Sequence, residues 1–200
     1  MASKRRKRGS GFWTGRMKAL IAVVLIVLIV VVAFQAFGRN GPAAYTPPTQ
    51  ILLQTSAGKI YLELYADKPL TSGNFQNLTE RGAYDGTIFH RVVAGFVVQG
   101  GDVSGKGIVV PAIQDELPNT HSNVRGSVAM AKTSAPNSAT SQFFINLADN
   151  SASLNANYTV FAHVIGGMDV VDTISRVPVN ASDYDRPLLP VTLIKASVMK

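Results

Sequence analysis

Nineteen consecutive residues, Ala19 to Phe37 (ALIAVVLIVLIVVVAFQAF), carry no charge. A helix of that length is roughly 28 Å long, close to the roughly 30 Å hydrocarbon core of a bilayer. The run is apolar on every face, which a soluble surface helix is not. It therefore divides the chain. Lys4, Arg5, Arg6, Lys7, Arg8, Arg16 and Lys18 precede it with no acidic residue among them, and Arg39 follows. From Asn40 onward there are eleven Lys or Arg and twelve Asp or Glu, so the net charge of +7 belongs to the N-terminal part. Basic residues beside an apolar span set its orientation, basic side in the cytoplasm. That reading is favoured over nucleic-acid binding by residues 4 to 8. A cleaved signal peptide would normally have a shorter apolar region of about 7–15 residues, and Ala36-Phe37-Gly38 is a mediocre cleavage site. The expected organisation is a basic cytoplasmic segment (1–18), a transmembrane signal-anchor (19–37), a linker rich in Gly and Pro (38–48) and a folded domain (49–200). That domain lies outside the cytoplasm, and is secreted if the anchor is cleaved. The chain has no cysteine, which removes disulfides, a thiol nucleophile and a lipid-attachment thiol.

The remaining 150 or so residues suffice for one core. Short β-like runs appear at Gln50–Thr55, Lys59–Tyr65, Ile88–Val93, Phe96–Gln99, Ser127–Ala131, Gln142–Leu147, Tyr158–Val164 and Val191–Val198. In the second, Ile60, Leu62 and Leu64 alternate with polar or aromatic residues at a period of two. Ser56-Ala57-Gly58 reads as a hairpin turn. Leu70–Arg81 and Met168–Ile174 have helical patterns, the first stopping before Gly82. Many short strands with two helices suggest a β-barrel or a sandwich. Segments 101–123 and 132–140 read as loops too polar for a core.

Hydrolytic chemistry finds little support. Gly-x-Ser-x-Gly is absent, and Ser56-Ala57-Gly58-Lys59 and Ser197-Val198-Met199-Lys200 match Ser-x-x-Lys only outside a helix. His90, His121 and His163 lack metal-ligand spacing, and His90 reads as a buried hydrogen-bonding residue. Asp115-Glu116 and Asp183-Tyr184-Asp185 read as solvated turns. What stands out is a cation in an apolar run. In an alternating strand Arg91 shares a face with Phe89, and His90 with Val92. Phe96 and Gln99 can approach the same wall. Gln99 and Gln142 are polar residues inside apolar runs, and each needs a partner.

Several motifs then coincide in order and spacing. Phe89-His90-Arg91, Gly95-Phe96, Gln99-Gly100-Gly101-Asp102, Val128-Ala129-Met130-Ala131, Gln142-Phe143-Phe144-Ile145, Val160-Phe161-Ala162-His163-Val164 and Gly167-Met168-Asp169-Val170-Val171 resemble the cyclophilin-type peptidyl-prolyl cis-trans isomerases. The resemblance runs from about Gln50 to Val198 and has a bacterial-type look. It implies a mainly β fold, a closed eight-stranded antiparallel barrel capped by two α-helices. It implies catalytic Arg91 with Phe96 and Gln99, and substrate contacts from Val97, Ala131, the backbone of Lys132, Gln142, Phe144, Leu154 and Tyr158. No metal, nucleotide or other cofactor is implied. The partners would be Pro-containing segments of unfolded or surface proteins, with the domain itself monomeric. Val97 stands where the best-known eukaryotic members have methionine, and Tyr158 where they have histidine. Ser153 stands where a tryptophan commonly contacts cyclosporin, so weak cyclosporin binding with retained catalysis is expected. Two other classes compete with the enzyme: a module that holds Pro segments without turning them over, and a membrane-tethered scaffold.

Overall fold

The computed structural model describes residues 49–199. The expected basic segment, membrane anchor and linker lie outside the described residues. Among the described residues no helix is long and apolar enough to cross a membrane.

Among the described residues eleven strands and three α-helices follow one another. Strands β1 (Gln50–Thr55) and β2 (Gly58–Leu64) form the first hairpin, turning at Ser56-Ala57. Helix α1 (Pro69–Glu80) comes next, then β3 (Thr87–Phe89), β4 (Arg91–Val93) and β5 (Val97–Gly100). After a long loop come β6 (Ser127–Met130), β7 (Phe143–Asn146), α2 (Ser151–Leu154), β8 (Val160–Gly166) and α3 (Met168–Ser175). A small hairpin of β9 (Val179–Asn180) and β10 (Arg186–Pro187) precedes β11 (Val191–Val198). Nine strands make one antiparallel sheet in the order β3-β11-β1-β2-β8-β6-β7-β5-β4.

The two terminal strands of that sheet, β3 and β4, are joined by the single residue His90. The sheet thus curls into a nearly closed barrel whose seam is a covalent bend. If Thr87–Val93 is counted as one strand, the expected eight remain. The split has a physical reason. Phe89 and Val92 are both buried, which strict alternation forbids for positions three apart. The chain slips phase at His90, so Phe89 faces the core and Arg91 faces outward. The expectation that Arg91 and Phe89 share a face is therefore corrected. The two-helix expectation is corrected too, because the four-residue α2 and the 3₁₀ turn Ser104–Lys106 carry no periodic pattern of their own.

Inside the barrel, alternate residues of β1 and β2 (Ile51, Leu53, Ile60, Leu62) are fully buried. Phe75 of α1 packs against Tyr84, Phe143 and Phe161 with ring centroids about 5 Å apart, the spacing of favourable aromatic pairs. Pro69 at the start of α1 suits a position whose N–H has no helical partner. The next two N–H groups, of Leu70 and Thr71, donate to the Glu116 carboxylate at 3.1 and 2.8 Å. Glu116 thus caps a helix end that would otherwise leave donors unpaired. Asp115 pairs with Lys132. The reading of Asp115-Glu116 as a solvated turn is corrected accordingly, and segment 101–123 also supplies core residues, since Val103 and Asn123 are buried.

Candidate active site

Register across five strands builds the site. Arg91 on β4 lies opposite Gln99 on β5, Gln99 opposite Phe144 on β7, Phe144 opposite Ala129 on β6, and Ala129 opposite Val160 on β8. Directly opposed residues point to the same face, and here that face is the outside of the barrel. Val97, two residues before Gln99, shares it. Val97, Ala129, Phe144, Leu154 and Val160 form a small apolar cluster separate from the main core, with Phe96, Ala131, Tyr65 and Tyr158 packed on it.

A cavity of about 330 Å³ opens on this cluster. Arg91 and Gln99 line one side, and Phe96, Val97 and Phe144 the apolar floor. Ala131, Lys132, Leu154 and Tyr158 complete the wall. The Tyr158 ring meets Phe144 edge-on, at 5.5 Å between centroids. Nine of the ten residues expected at a site thus meet in one pocket. Gln142 stands behind it and lines a neighbouring recess with Asp102 and Ser104.

The glutamines satisfy each other. Gln99 Nε2 donates to Gln142 Oε1 at 2.9 Å, and Arg91 Nη1 donates to Gln99 Oε1 at 3.5 Å. A guanidinium has five N–H donors, and among the described residues Arg91 makes no ion pair. The cation is held in direction by an amide and left open toward the pocket. The Lys132 backbone is also open. Among the described residues neither its N–H nor its C=O has a partner, which leaves one edge for an extended peptide.

The glycines after Gln99 seat this strand. A Cβ at Gly100 would lie 2.9 Å from Phe89 Cδ1. At Gly101, with φ at +78°, it would lie 2.7 Å from Phe143 Cδ1 and 2.9 Å from the Ser141 carbonyl. Only residues without a Cβ let β5 pass so close to those rings. The buried Tyr84 hydroxyl donates to that same Ser141 carbonyl at 3.0 Å, and burial pushes its phenol well above the ordinary range.

An asparagine network supports the walls and escaped the sequence reading. Asn150 Nδ2 donates to the Phe96 carbonyl at 2.9 Å and to Asn146 Oδ1 at 2.8 Å. Asn146, fully buried, donates to Asn123 Oδ1 and Ser127 Oγ. Asn119 Nδ2 holds the carbonyls of Asn155 and Tyr158, flanking the pocket. Asn146 closing the apolar run Phe143-Phe144-Ile145 was the one signal available. His90, read from the sequence as a buried hydrogen-bonding residue, leaves its Nδ1 without a partner. Burial pushes its imidazole below the ordinary range, against the pull of Asp102. Among the described residues no cluster of His, Cys, Asp or Glu could hold a metal ion.

An outward cation thus stands beside a pocket with an apolar floor, on a nearly closed barrel. The family model for cyclophilin-type peptidyl-prolyl cis-trans isomerases matches residues 50–198. A peptidyl-prolyl cis-trans isomerase of Acinetobacter baylyi is 42% identical over 161 residues, covering 75% of this chain and 85% of that protein. Peptidyl-prolyl cis-trans isomerase B of Escherichia coli is 43% identical over 160 residues, covering 74% and 97%. The crystal structure of a Cryptosporidium parvum cyclophilin-type isomerase, solved in the presence of the dipeptide Ala-Pro, superposes with a TM-score of 0.69. It is 28% identical, over 76% of this chain and 99% of that one. The chain belongs to the cyclophilin-type peptidyl-prolyl cis-trans isomerases. It is an enzyme of that class.

Proposed function

We propose that this chain accelerates rotation about Xaa-Pro bonds in proteins outside the cytoplasm, from an anchor formed by Ala19–Phe37, with Arg91 as the catalytic cation. The observation that carries the reading is the outward row Arg91–Gln99–Phe144, which sets a guanidinium with no ion pair among the described residues beside a pocket with an apolar floor.

Amide resonance imposes a barrier of roughly 18–20 kcal/mol on the peptide bond. Resonance is lost as the bond twists, and the prolyl nitrogen regains a localised lone pair. A donor aimed at that nitrogen, or at the adjoining carbonyl, binds the twisted state more tightly than either planar one. Only that difference accelerates the reaction. Arg91 supplies the donor. Gln99 steers the guanidinium or the rotating carbonyl, itself braced by Gln142. Phe96, Phe144 and Leu154 hold the proline ring away from water, and Val97, Ala131 and Tyr158 shape the wall. The free backbone edge of Lys132 pairs with the substrate chain, so one side of the bond stays fixed while the other turns. No covalent intermediate is needed. Clients are Pro-containing segments for which isomerisation is the slow folding step. Cyclosporin binds weakly, because Ser153 offers no ring to it.

Two measurements test the reading. Turnover of an Xaa-Pro peptide by the full-length protein, compared with Arg91→Ala, tests the chemistry. Protease added to intact cells tests the topology: digestion of the C-terminal domain without lysis supports the anchor, and protection until lysis overturns it.

A further inference from the structure

Past Lys132 and Tyr158 the active-site pocket adjoins a second recess of about 250 Å³, walled by Lys132, Thr133 and Ser134 from one loop and by Asn157 and Tyr158 from the other. Lys132 is built into this wall. Its side chain is only 8% exposed, and Nζ lies 3.3 Å from Asp115 Oδ2 and donates to the Ala135 carbonyl at 3.3 Å. An ammonium has three N–H donors. Two are directed at those oxygens over long distances, and the third is unspent. Asp115 is itself fixed in a reciprocal clasp: its Oδ2 accepts the Asn137 N–H, and its own N–H donates to Asn137 Oδ1, both at 2.9 Å. Among the described residues the side chains of Ser134, Asn157 and Tyr158 make no hydrogen bond.

We infer that this recess is a subsite for a neutral amide side chain, Gln or Asn, of the client segment whose proline fills the neighbouring pocket. The inference rests on the isomerase reading. An amide oxygen can accept from the spare Lys132 N–H and from the Tyr158 hydroxyl. An amide NH₂ can donate to Ser134 Oγ and Asn157 Oδ1. The ion pair makes the recess neutral overall. A carboxylate would gain Lys132 but meet Asp115 behind it, after surrendering its own hydration. An apolar side chain would cover the ammonium donor and leave it unanswered. The opposite charge of Asp115 is thus what selects amide over acid.

The test is a peptide series with Gln, Glu or Leu placed in turn at each position within about three residues of the Xaa-Pro bond, the extended reach of such a recess. kcat/KM is measured for the full-length protein. At one position Gln exceeds Glu and Leu by about three- to tenfold. Asp115→Asn keeps the acceptor for the Asn137 N–H and removes the charge, so Glu overtakes Gln at that position, by a margin that shrinks with added salt. If that variant fails to fold, Asn157→Ala decides, since it brings the Gln to Leu ratio toward one. Equal turnover of all three peptides at every position overturns the inference and leaves the isomerase intact. So does an Asp115→Asn protein that loses activity equally on Gln and Glu, or an Asn157→Ala protein that keeps the wild-type ratio. Turnover of no peptide overturns the isomerase reading and this inference with it.

Discussion

Replacing Arg91 by Ala separates catalysis from folding more cleanly than any other change to this site. Its single hydrogen bond among the described residues, to Gln99 Oε1, is 3.5 Å long, at the limit of useful geometry. The side chain is partly buried and forms no ion pair among the described residues. Its loss therefore costs the fold under about 1 kcal/mol, a melting shift of no more than about 4 °C for a domain this size. On the proposed mechanism the same side chain carries a charge-assisted hydrogen bond to the substrate in the twisted state. Removing such a preorganised donor costs about 2.7–4 kcal/mol, or about 10²–10³ in rate. The assay is kcat/KM on an Xaa-Pro peptide beside a thermal melt of the same preparation. Arg91→Lys keeps the charge but loses the planar fork, and recovers only part of the loss. An Arg91→Ala protein that melts normally and stays within about tenfold of wild type would refute the assignment. So would a rate loss that merely tracks unfolding.

Gln142→Ala removes the 2.9 Å brace on Gln99 and lowers kcat about three- to tenfold; Arg91→Ala with Gln142→Ala together is no worse than Arg91→Ala alone, as expected of residues acting in series, and steady-state kinetics on the double mutant checks this. Gly101→Ala must place a Cβ 2.7 Å from Phe143 Cδ1 at φ of +78°; left-handed strain and overpacking together cost about 2–5 kcal/mol in urea denaturation, and a loss below about 1 kcal/mol contradicts the packing. Acid lowers stability in two windows. His90 is held below its ordinary value by burial, so below about pH 6.5 the unfolded chain takes up the proton first and stability falls; the upper window flattens in His90→Asn, and an unchanged slope there rules out His90 as its source. The Thr120 hydrogen bond holds Asp67 below the usual 3.8, so its contribution is present above that value and is lost as pH falls below it through the lower folded-state value. Ser153→Trp places an indole on the exposed face of α2 and tightens cyclosporin binding in a direct titration, whereas unchanged affinity removes Ser153 as the reason for weak binding.

Much of the barrel was legible because it obeys local rules. The alternation of Ile60, Leu62 and Leu64 marks β2 with one face in the core, and Phe75 and Leu78 mark the buried side of α1. Gln99 and Gln142 advertised themselves as polar groups in apolar runs, and they answer each other. Failure came where the decisive contact is distant. Phe89 and Arg91 look like partners on one face until the bend at His90 shifts the phase by one residue. That bend follows from one continuous segment pairing with β11 on one side and β5 on the other. Asp115 and Glu116 look like a wet turn because Lys132 and the start of α1 come from other parts of the chain. The asparagines at 119, 123 and 150 carry no pattern that marks them in the sequence, although each bonds the backbone or side chain of a segment at least 23 residues away.

The first strand of the domain pairs along its whole length with the last, Ile51 opposite Val198 and Thr55 opposite Leu193. The row that forms the site is complete by Val160, yet the barrel beneath it cannot close until the final strand has been synthesised. Such end-to-end pairing is the slowest kind of contact for a chain to find. A nascent copy of this enzyme therefore has all its site residues and no site, and trimming the last strand silences it without removing any atom that would touch a proline.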